Sequence, residues 1–407
     1  MSDLLLVSSF LHPRGGDTTL LFAEWAGWRA RGGVVVPFAM RHPDNVPAVS
    51  EARFPPWHAP RQSQSPVQKA AAALRATWNL TAARALDDLL RDHPVAAAHV
   101  HHLHRHLTPS ILPVLRRHGV RVVWTVHDYD LVCPNAIRYR EGAPCARCTG
   151  GHYAHAVAGR CKDGHLGASL AVAVEHAVHR RLRLHRWVDA FVAPSAAVAQ
   201  ALVEDGLPQA KVHHLPNLLS VTTGERSDAT DVLFAGRLTD EKGTREVLAL
   251  ARALPGATVV VLGDGPLRPL LESAALPNLR VRGAATPRDV AAALAGARVA
   301  VVPSRWPENQ PYAVLEAQAA GAAVVASRVG GIPEIVADGE DGVLVPPGDV
   351  AALVAAVSRL LGDDGTRRRL VDAARNRVAT EREPSGWFAA MARLLWPGAR
   401  HEPTSIP

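Results

Sequence analysis

The sequence predicts an α/β protein made of two doubly wound parallel sheets. Three observations carry that expectation. Short apolar runs alternate with helix-period segments, and the alternation occurs twice. The runs are rich in Ala, Val and Leu and almost continuously apolar, as in strands covered on both faces. Hydrophobic residues make up 48% of the 407 positions but aromatics only 5%, so the core is aliphatic. The length suits two domains of roughly 200 residues each.

In the first half, strand-like runs fall at 4–8, 34–37, 97–102, 121–126, 190–193 and 211–215. Helical runs fall at about 18–31, 69–92, 108–117, 166–187 and 196–205. Such alternation predicts right-handed βαβ units. Residues 41–66, with many prolines and no period, read as a surface loop over the site. The polar segment 220–230 reads as a linker. Strands then recur at 232–235, 258–262, 279–282, 299–302, 323–327 and 342–345, with helices between them and at 349–361 and 365–380. A last helix at about 385–395 carries Trp387, Phe388, Leu394 and Leu395. The expected domains are 1–219, with a cysteine-bearing insertion at 133–165, then 220–384, then a terminal helix and tail at 385–407.

Charge is unevenly placed. Residues 1–220 hold 24 Lys+Arg against 16 Asp+Glu, and 19 of the 20 histidines. A basic half can meet an anionic membrane surface or a phosphate-bearing acceptor. An Arg-rich solvated face explains it equally well. No helix-turn-helix, RRM or finger pattern is present and the arginines are not interleaved with aromatics, so no nucleic-acid partner is expected. No apolar stretch reaches the length of a membrane span and no signal peptide opens the chain. The expectation is a cytoplasmic protein, with peripheral association at the inner membrane face left open.

The most informative segment is Pro303-Ser-Arg-Trp-Pro-Glu-Asn-Gln-Pro-Tyr-Ala-Val-Leu-Glu316. It places Glu308 in the loop at the carboxyl end of a strand, where open α/β sheets bind ligands. Asn309 and Gln310 follow it. Glu316 lies about one turn into the next helix, whose N-terminal amides favour a phosphate. One carboxylate can take sugar hydroxyls while the other reaches a ribose, a division that suits a nucleotide-sugar. In Phe234-Ala-Gly-Arg-Leu-Thr-Asp-Glu-Lys242-Gly, Gly236 permits a sharp turn, while Arg237 offers a fork and Lys242 a point charge for phosphate oxygens. Gly15-Gly16 follows the first strand and can admit a phosphate or acceptor group against the backbone. His127 ends a strand outside the sheet. Gly263 opens a strand-to-helix turn that matches the dinucleotide fingerprint poorly.

All four cysteines lie between 133 and 161, with Cys145 and Cys148 at C-x-x-C spacing flanked by Cys133 and Cys161. Four thiolates fit a closed structural zinc site, and the same set serves an iron–sulfur cluster. Disulfides and unligated thiols are the competing readings. His99, His101, His102, His104 and His106 resemble a metal box, but alternate members of a strand face opposite sides and cannot all converge.

The E-x7-E run resembles the signature of the family 4 retaining glycosyltransferases. It is joined, in the family's order, by Gly15-Gly16, His127-Asp128, Gly236-Arg237 with Lys242-Gly243, Gly263-Asp-Gly-Pro266, Gly330-Gly-Ile-Pro-Glu334 and Asp341-Gly-Val-Leu-Val-Pro346. The resemblance covers nearly the whole chain, and the four-cysteine insertion departs from the plainest members. It implies the GT-B fold, two Rossmann-like domains facing across a cleft, with the terminal helix returning to the N-terminal domain. It implies sugar transfer from a UDP-, GDP- or ADP-linked donor to a glycan or lipid-linked acceptor, in cell-envelope polysaccharide or glycoconjugate synthesis, without a catalytic metal. His127 and Glu308 would contact the transferred sugar, and Glu316 the ribose. Gly15, Gly16, Gly263, Asn309 and Gln310 would line the donor, with Arg237 and Lys242 clamping its diphosphate. A GT-B sugar-nucleotide epimerase and a non-catalytic nucleotide-sugar-binding subunit are the alternatives.

Overall fold

The structure, a computed structural model, describes residues 3–57, 65–219, 229–381 and 383–398. Contacts divide the chain into two compact units. The first holds the residues up to Ile137, Ala146–Leu218 and the segment from Pro384 onward; the second holds Arg138–Cys145 and Leu219–Glu383. Most of the expected linker, 220–228, lies outside the described residues, as does 58–64 of the expected surface loop.

The first unit is built on strands β1 (Leu4–Val7), β2 (Val35–Phe38), β3 (Ala97–Val100) and β4 (Arg121–Thr125). A short hairpin, β5 (Tyr139–Arg140) and β6 (Ala143–Pro144), interrupts the series before β7 (Ala190–Ala193) and β8 (Val212–His214). The six sheet strands run in the order β2-β1-β3-β4-β7-β8, every pairing parallel. All residues of β1, β2, β3 and β7 are buried, which is why their sequences show no polar alternation. The order reverses between β1 and β3, making that junction the switch point where doubly wound sheets hold ligands.

Two expected helices are shorter than their apolar periods. The 69–92 run is divided into Pro66–Thr77 and Leu80–Asp92, because the Asn79 side chain accepts from Ala82 N and starts a new helix. The 166–187 run ends at Arg181, and Arg183 adopts a left-handed conformation. The terminal helix Pro384–Leu395 packs in the first unit. Phe388 and Trp396 meet Trp28 edge to face at 4.8 and 5.5 Å.

The second unit contains β9 (Thr230–Ala235), β10 (Val259–Leu262), β11 (Leu279–Val281), β12 (Ala297–Val302), β13 (Ala323–Ser327) and β14 (Val343–Val345). Their order is β11-β10-β9-β12-β13-β14, again all parallel, with the switch between β9 and β12. Aliphatic residues of the strands and flanking helices, among them Val232, Val259, Val299, Leu353 and Leu360, form its core. The β5–β6 hairpin groups with this unit, whereas the sequence reading placed all of 133–165 with the first domain. Arg305 Nη2 donates to Gly142 O at 3.2 Å, at a turn where Gly142 has φ +82. Among the described residues no helix is long and apolar enough to cross a membrane.

Candidate active site

In the second unit the loops after β9 and β12 flank the switch point. The β9 loop carries Gly236, Arg237 and Lys242; Lys242 ends a short 3-10 turn, Asp240–Lys242, before the helix Thr244–Ala253. The β12 loop carries Glu308, Asn309 and Gln310, all buried. The two loops meet: Lys242 Nζ lies 2.7 Å from Glu308 Oε1, and Ser304 Oγ donates to the same oxygen at 2.6 Å. Lys242 also sits over the Trp306 ring, 4.9 Å from its centroid. Thr239 Oγ1 and Trp306 Nε1 are buried nearby in sequence with no hydrogen-bond partner among the described residues, donors for which a polar ligand is the natural complement. Arg237, by contrast, is 62% exposed and pairs loosely with Glu241 at 3.4 Å.

Two glycines let these loops close. Gly263 has φ +140, and a Cβ there would stand 1.8 Å from Gly236 O. Gly330 has φ +58, a Cβ would meet Glu308 O at 2.2 Å, and Gly331 N donates to Glu308 O at 2.8 Å. The Gly330-Gly331 turn therefore fixes the backbone that carries Glu308. Glu316 lies in the helix Tyr312–Ala320, where burial pushes its carboxyl up to about 7. Near neutral pH it can donate a hydrogen bond as well as accept one.

In the first unit Gly15 precedes the helix Gly16–Ala30, and its φ of 170 is ordinary extended backbone. The turn is organised by Thr18, whose hydroxyl accepts from Arg14 N and Gly15 N and donates to Gly15 O. Behind it lies a buried chain of hydrogen bonds. Trp28 Nε1 donates to Glu24 Oε1 at 2.9 Å. His99 Nδ1 lies 2.8 and 2.7 Å from the two Glu24 oxygens, and its Nε2 meets Thr125 Oγ1 at 2.7 Å. His101 Nε2 lies 3.0 Å from Glu24 Oε2, and His101 Nδ1 lies 3.0 Å from His127 Nε2.

The protons in this chain follow from its chemistry. Burial opposes ionisation of Glu24, but His99 and His101 overcome it and hold the carboxyl well below the usual carboxylate range. The carboxylate therefore accepts a hydrogen bond from the Nε2–H of His101. Burial keeps His101 neutral, at about 4, so its Nδ1 is a lone pair. His127 is also kept neutral, at about 3, by burial and by His101. It must then donate from Nε2, which leaves Nδ1 as its acceptor side. Asp128 is pushed up to about 7 by burial and by Asp130. Burial would raise Asp17, one residue beyond the glycine pair, but His102 and His127 draw it below its ordinary value.

The sequence reading did not single out Glu24 or assign His101 a task. An available signal was an acid at the buried stripe Leu20, Leu21, Glu24, Trp28 of an otherwise apolar helix face. Of the five histidines only His99 lies in β3; the other four are on the segment that follows it, so strand alternation does not arrange them. His99 and His101 share Glu24, while His106 stacks on Trp57 at 4.5 Å. None of the four cysteines forms a disulfide. Cys148 and Cys161 pack with Tyr153, Ala156 and Ala173. Among the described residues, the groups of three or more metal-capable side chains within 4.8 Å contain no cysteine.

Two parallel α/β units with these loops define a GT-B architecture. A family model described as Glycosyltransferase Family 4 matches residues 15–222, and one described as Glycosyl transferases group 1 matches 229–363. The chain belongs to the family 4 glycosyltransferases. It is 35% identical to a glycogen synthase of Mycobacterium tuberculosis over 188 residues, 44% of this chain and 45% of that protein. It is 31% identical to the sulfoquinovosyl transferase SQD2 of Arabidopsis thaliana over 233 residues, 52% of this chain and 44% of that protein. The matched part thus spans about half the length of these curated relatives. Among solved structures, Anabaena HepE in complex with UDP-glucose superposes with a TM-score of 0.67 at 16% identity, covering 97% of this chain and 99% of that one. Sucrose-phosphate synthase from Thermosynechococcus elongatus gives 0.69 at 19% identity, covering 97% and 98%.

Proposed function

We propose that the chain is a retaining glycosyltransferase that moves a sugar from a nucleotide-sugar donor to a glycan or lipid-linked acceptor in cell-envelope polysaccharide or glycoconjugate synthesis. The observation that carries this is the Lys242–Glu308 pair at the β9/β12 switch point. It sets a cation suited to a departing diphosphate beside a buried carboxylate suited to sugar hydroxyls. Arg237, exposed on the same loop, supplies a second cation to the diphosphate. Glu316 takes the ribose hydroxyls. His127 hydrogen-bonds the transferred sugar. HepE, whose structure holds UDP-glucose, supports a uridine-linked donor as the first to try. The relatives' names, a glycogen synthase and a sulfoquinovosyl transferase, support sugar transfer as the reaction.

The test pairs binding with turnover. UDP-, GDP- and ADP-sugars are screened by thermal shift, since the true donor stabilises the fold by mass action. Transfer is then followed with Glu308→Gln, expected to reduce kcat by about 100-fold or more while the chain stays folded. Turnover unaffected by E308Q would overturn the assignment. Conversion of the donor to an epimer without any acceptor would favour the epimerase, and donor binding without transfer the non-catalytic subunit. The anomeric proton coupling of the product reads retention directly.

A further inference from the structure

Among the described residues, the first unit holds two buried sets of two histidines and one glutamate, Glu24 with His99 and His101, and Glu175 with His104 and His179. Their hydrogen bonds set them apart. Both oxygens of Glu24 accept donors from Trp28, His99 and His101, so that set is complete in itself. In the second set the accounting does not close. Glu175 is 3% exposed, and its Oε1 has no hydrogen-bond partner among the described residues. Leaving such an oxygen buried is costly unless something positive meets it.

What surrounds Glu175 indicates what would. Glu175 and His179 are four residues apart on the helix Leu166–Arg181 and so share a face. His179 Nε2 donates to Thr77 O at 2.8 Å, which leaves Nδ1 as a lone pair. His104 Nδ1 faces Asp130 Oδ2 at 3.0 Å, at an angle too poor for a full hydrogen bond, which turns Nε2 the other way. One ligand-capable atom from each of the three residues lies within 4.8 Å of the other two. Metal-bound histidines commonly anchor their second nitrogen in this way, on a carbonyl or a carboxylate. Around Glu175, Asp130 adds negative charge and Arg105 and Lys162 positive charge. A cavity of about 220 Å³ lined by His104 and His179 leaves room for a water in a fourth position.

We propose that His104, Glu175 and His179 bind a divalent first-row transition metal, zinc by its ligand preference. Two imidazoles and a carboxylate with one open position form a known zinc ligand set. Ligands around tetrahedral zinc stand about 3.4 Å apart at bonds of about 2.0–2.2 Å. With the atoms within 4.8 Å of one another, closing the set takes at most about 1.4 Å of approach between any two of them. The metal would tie the 166–181 helix, which follows the cysteine-bearing segment, to the chain just after β3.

The experiment uses the full chain carrying C145S/C148S, stripped with chelator and titrated with Co²⁺ and Zn²⁺. The expected result is one equivalent bound, with cobalt d–d bands and no thiolate-to-cobalt charge transfer. Adding Glu175→Gln or His179→Gln should weaken binding by more than about 100-fold. Absence of binding in the C145S/C148S chain, charge-transfer bands as the sole cobalt signal, or binding unchanged in both added variants would overturn the proposal. Should E175Q fail to fold, the cobalt spectrum of the C145S/C148S chain decides alone. The readout is metal binding, so it stands apart from sugar transfer.

Discussion

At the scale of single residues, the first unit places its chemistry behind His127 rather than on it. Glu24 is the anchor: with its carboxylate in place, each imidazole in the chain has one allowed tautomer. Replacing it by Gln keeps the shape but leaves one acceptor oxygen for three donors, those of Trp28, His99 and His101. His101 then loses its fixed proton position, and so does His127. Under the proposed contact of His127 with the transferred sugar, Glu24→Gln should reduce kcat by at least about tenfold while donor KM is held, because misplacing that contact acts on the transition state. Nitrogen-15 shifts of the His127 ring should report a changed tautomer; an unchanged ring with reduced kcat would mean that Glu24 acts by packing alone. In the second unit, Lys242→Met strips the buried Glu308 of its cation and leaves, among the described residues, the Ser304 hydroxyl. Such an uncompensated carboxylate should cost about 2–3 kcal/mol in urea unfolding. A Ser304→Ala exchange, which leaves the ion pair intact, should cost about 1 kcal/mol.

At the scale of elements, the glycines differ sharply although the sequence shows them alike. Gly263→Ala forces a Cβ into Gly236 O at a φ of +140. It should destabilise the second unit by about 3 kcal/mol or more and abolish donor-dependent thermal stabilisation. Gly15→Ala, at φ 170 with Asp17 Oδ1 3.4 Å away as the nearest neighbour, should shift stability by less than about 0.5 kcal/mol. Equal melting shifts for the two variants would refute this. The contrast also shows what a sequence can convey. Strand positions were legible because parallel strands buried on both faces read as apolar runs, and Glu308 was legible because its loop follows such a run. The meeting of Lys242 with Glu308 was not, since it depends on β9 and β12 being neighbours, separated by more than sixty residues. The Asn79 break was hidden by an apolar period that continues through it. Glu24 was hidden because an acid on a helix is ordinarily read as solvated.

At the scale of the whole molecule, the two units should answer acid in opposite senses. His101 and His127 are held at about 4 and about 3 in the folded first unit, against an ordinary value near 6.5 when unfolded. As pH falls below about 6.5 the unfolded chain takes up protons that the folded unit refuses, so stability is lost until the folded values are reached. Asp128, raised to about 7, works the other way, since its folded form binds a proton that the unfolded chain releases above about 4. Two histidines against one carboxyl leave a net loss of about 1–2 kcal/mol between pH 7 and 5. In the second unit Glu316, raised to about 7, favours the folded form as pH falls toward 4.5. Native-state hydrogen exchange, corrected for intrinsic rate, should therefore show opening free energies that decrease for peptides spanning β3 and β4 between pH 7 and 5. Peptides spanning β12 and the helix Tyr312–Ala320 should hold or gain protection over the same interval. In His101→Gln the acid loss of the first unit should shrink. If both units lose protection in parallel, or the His101 variant keeps the full slope, the buried imidazole chain is not what makes the first unit acid-sensitive.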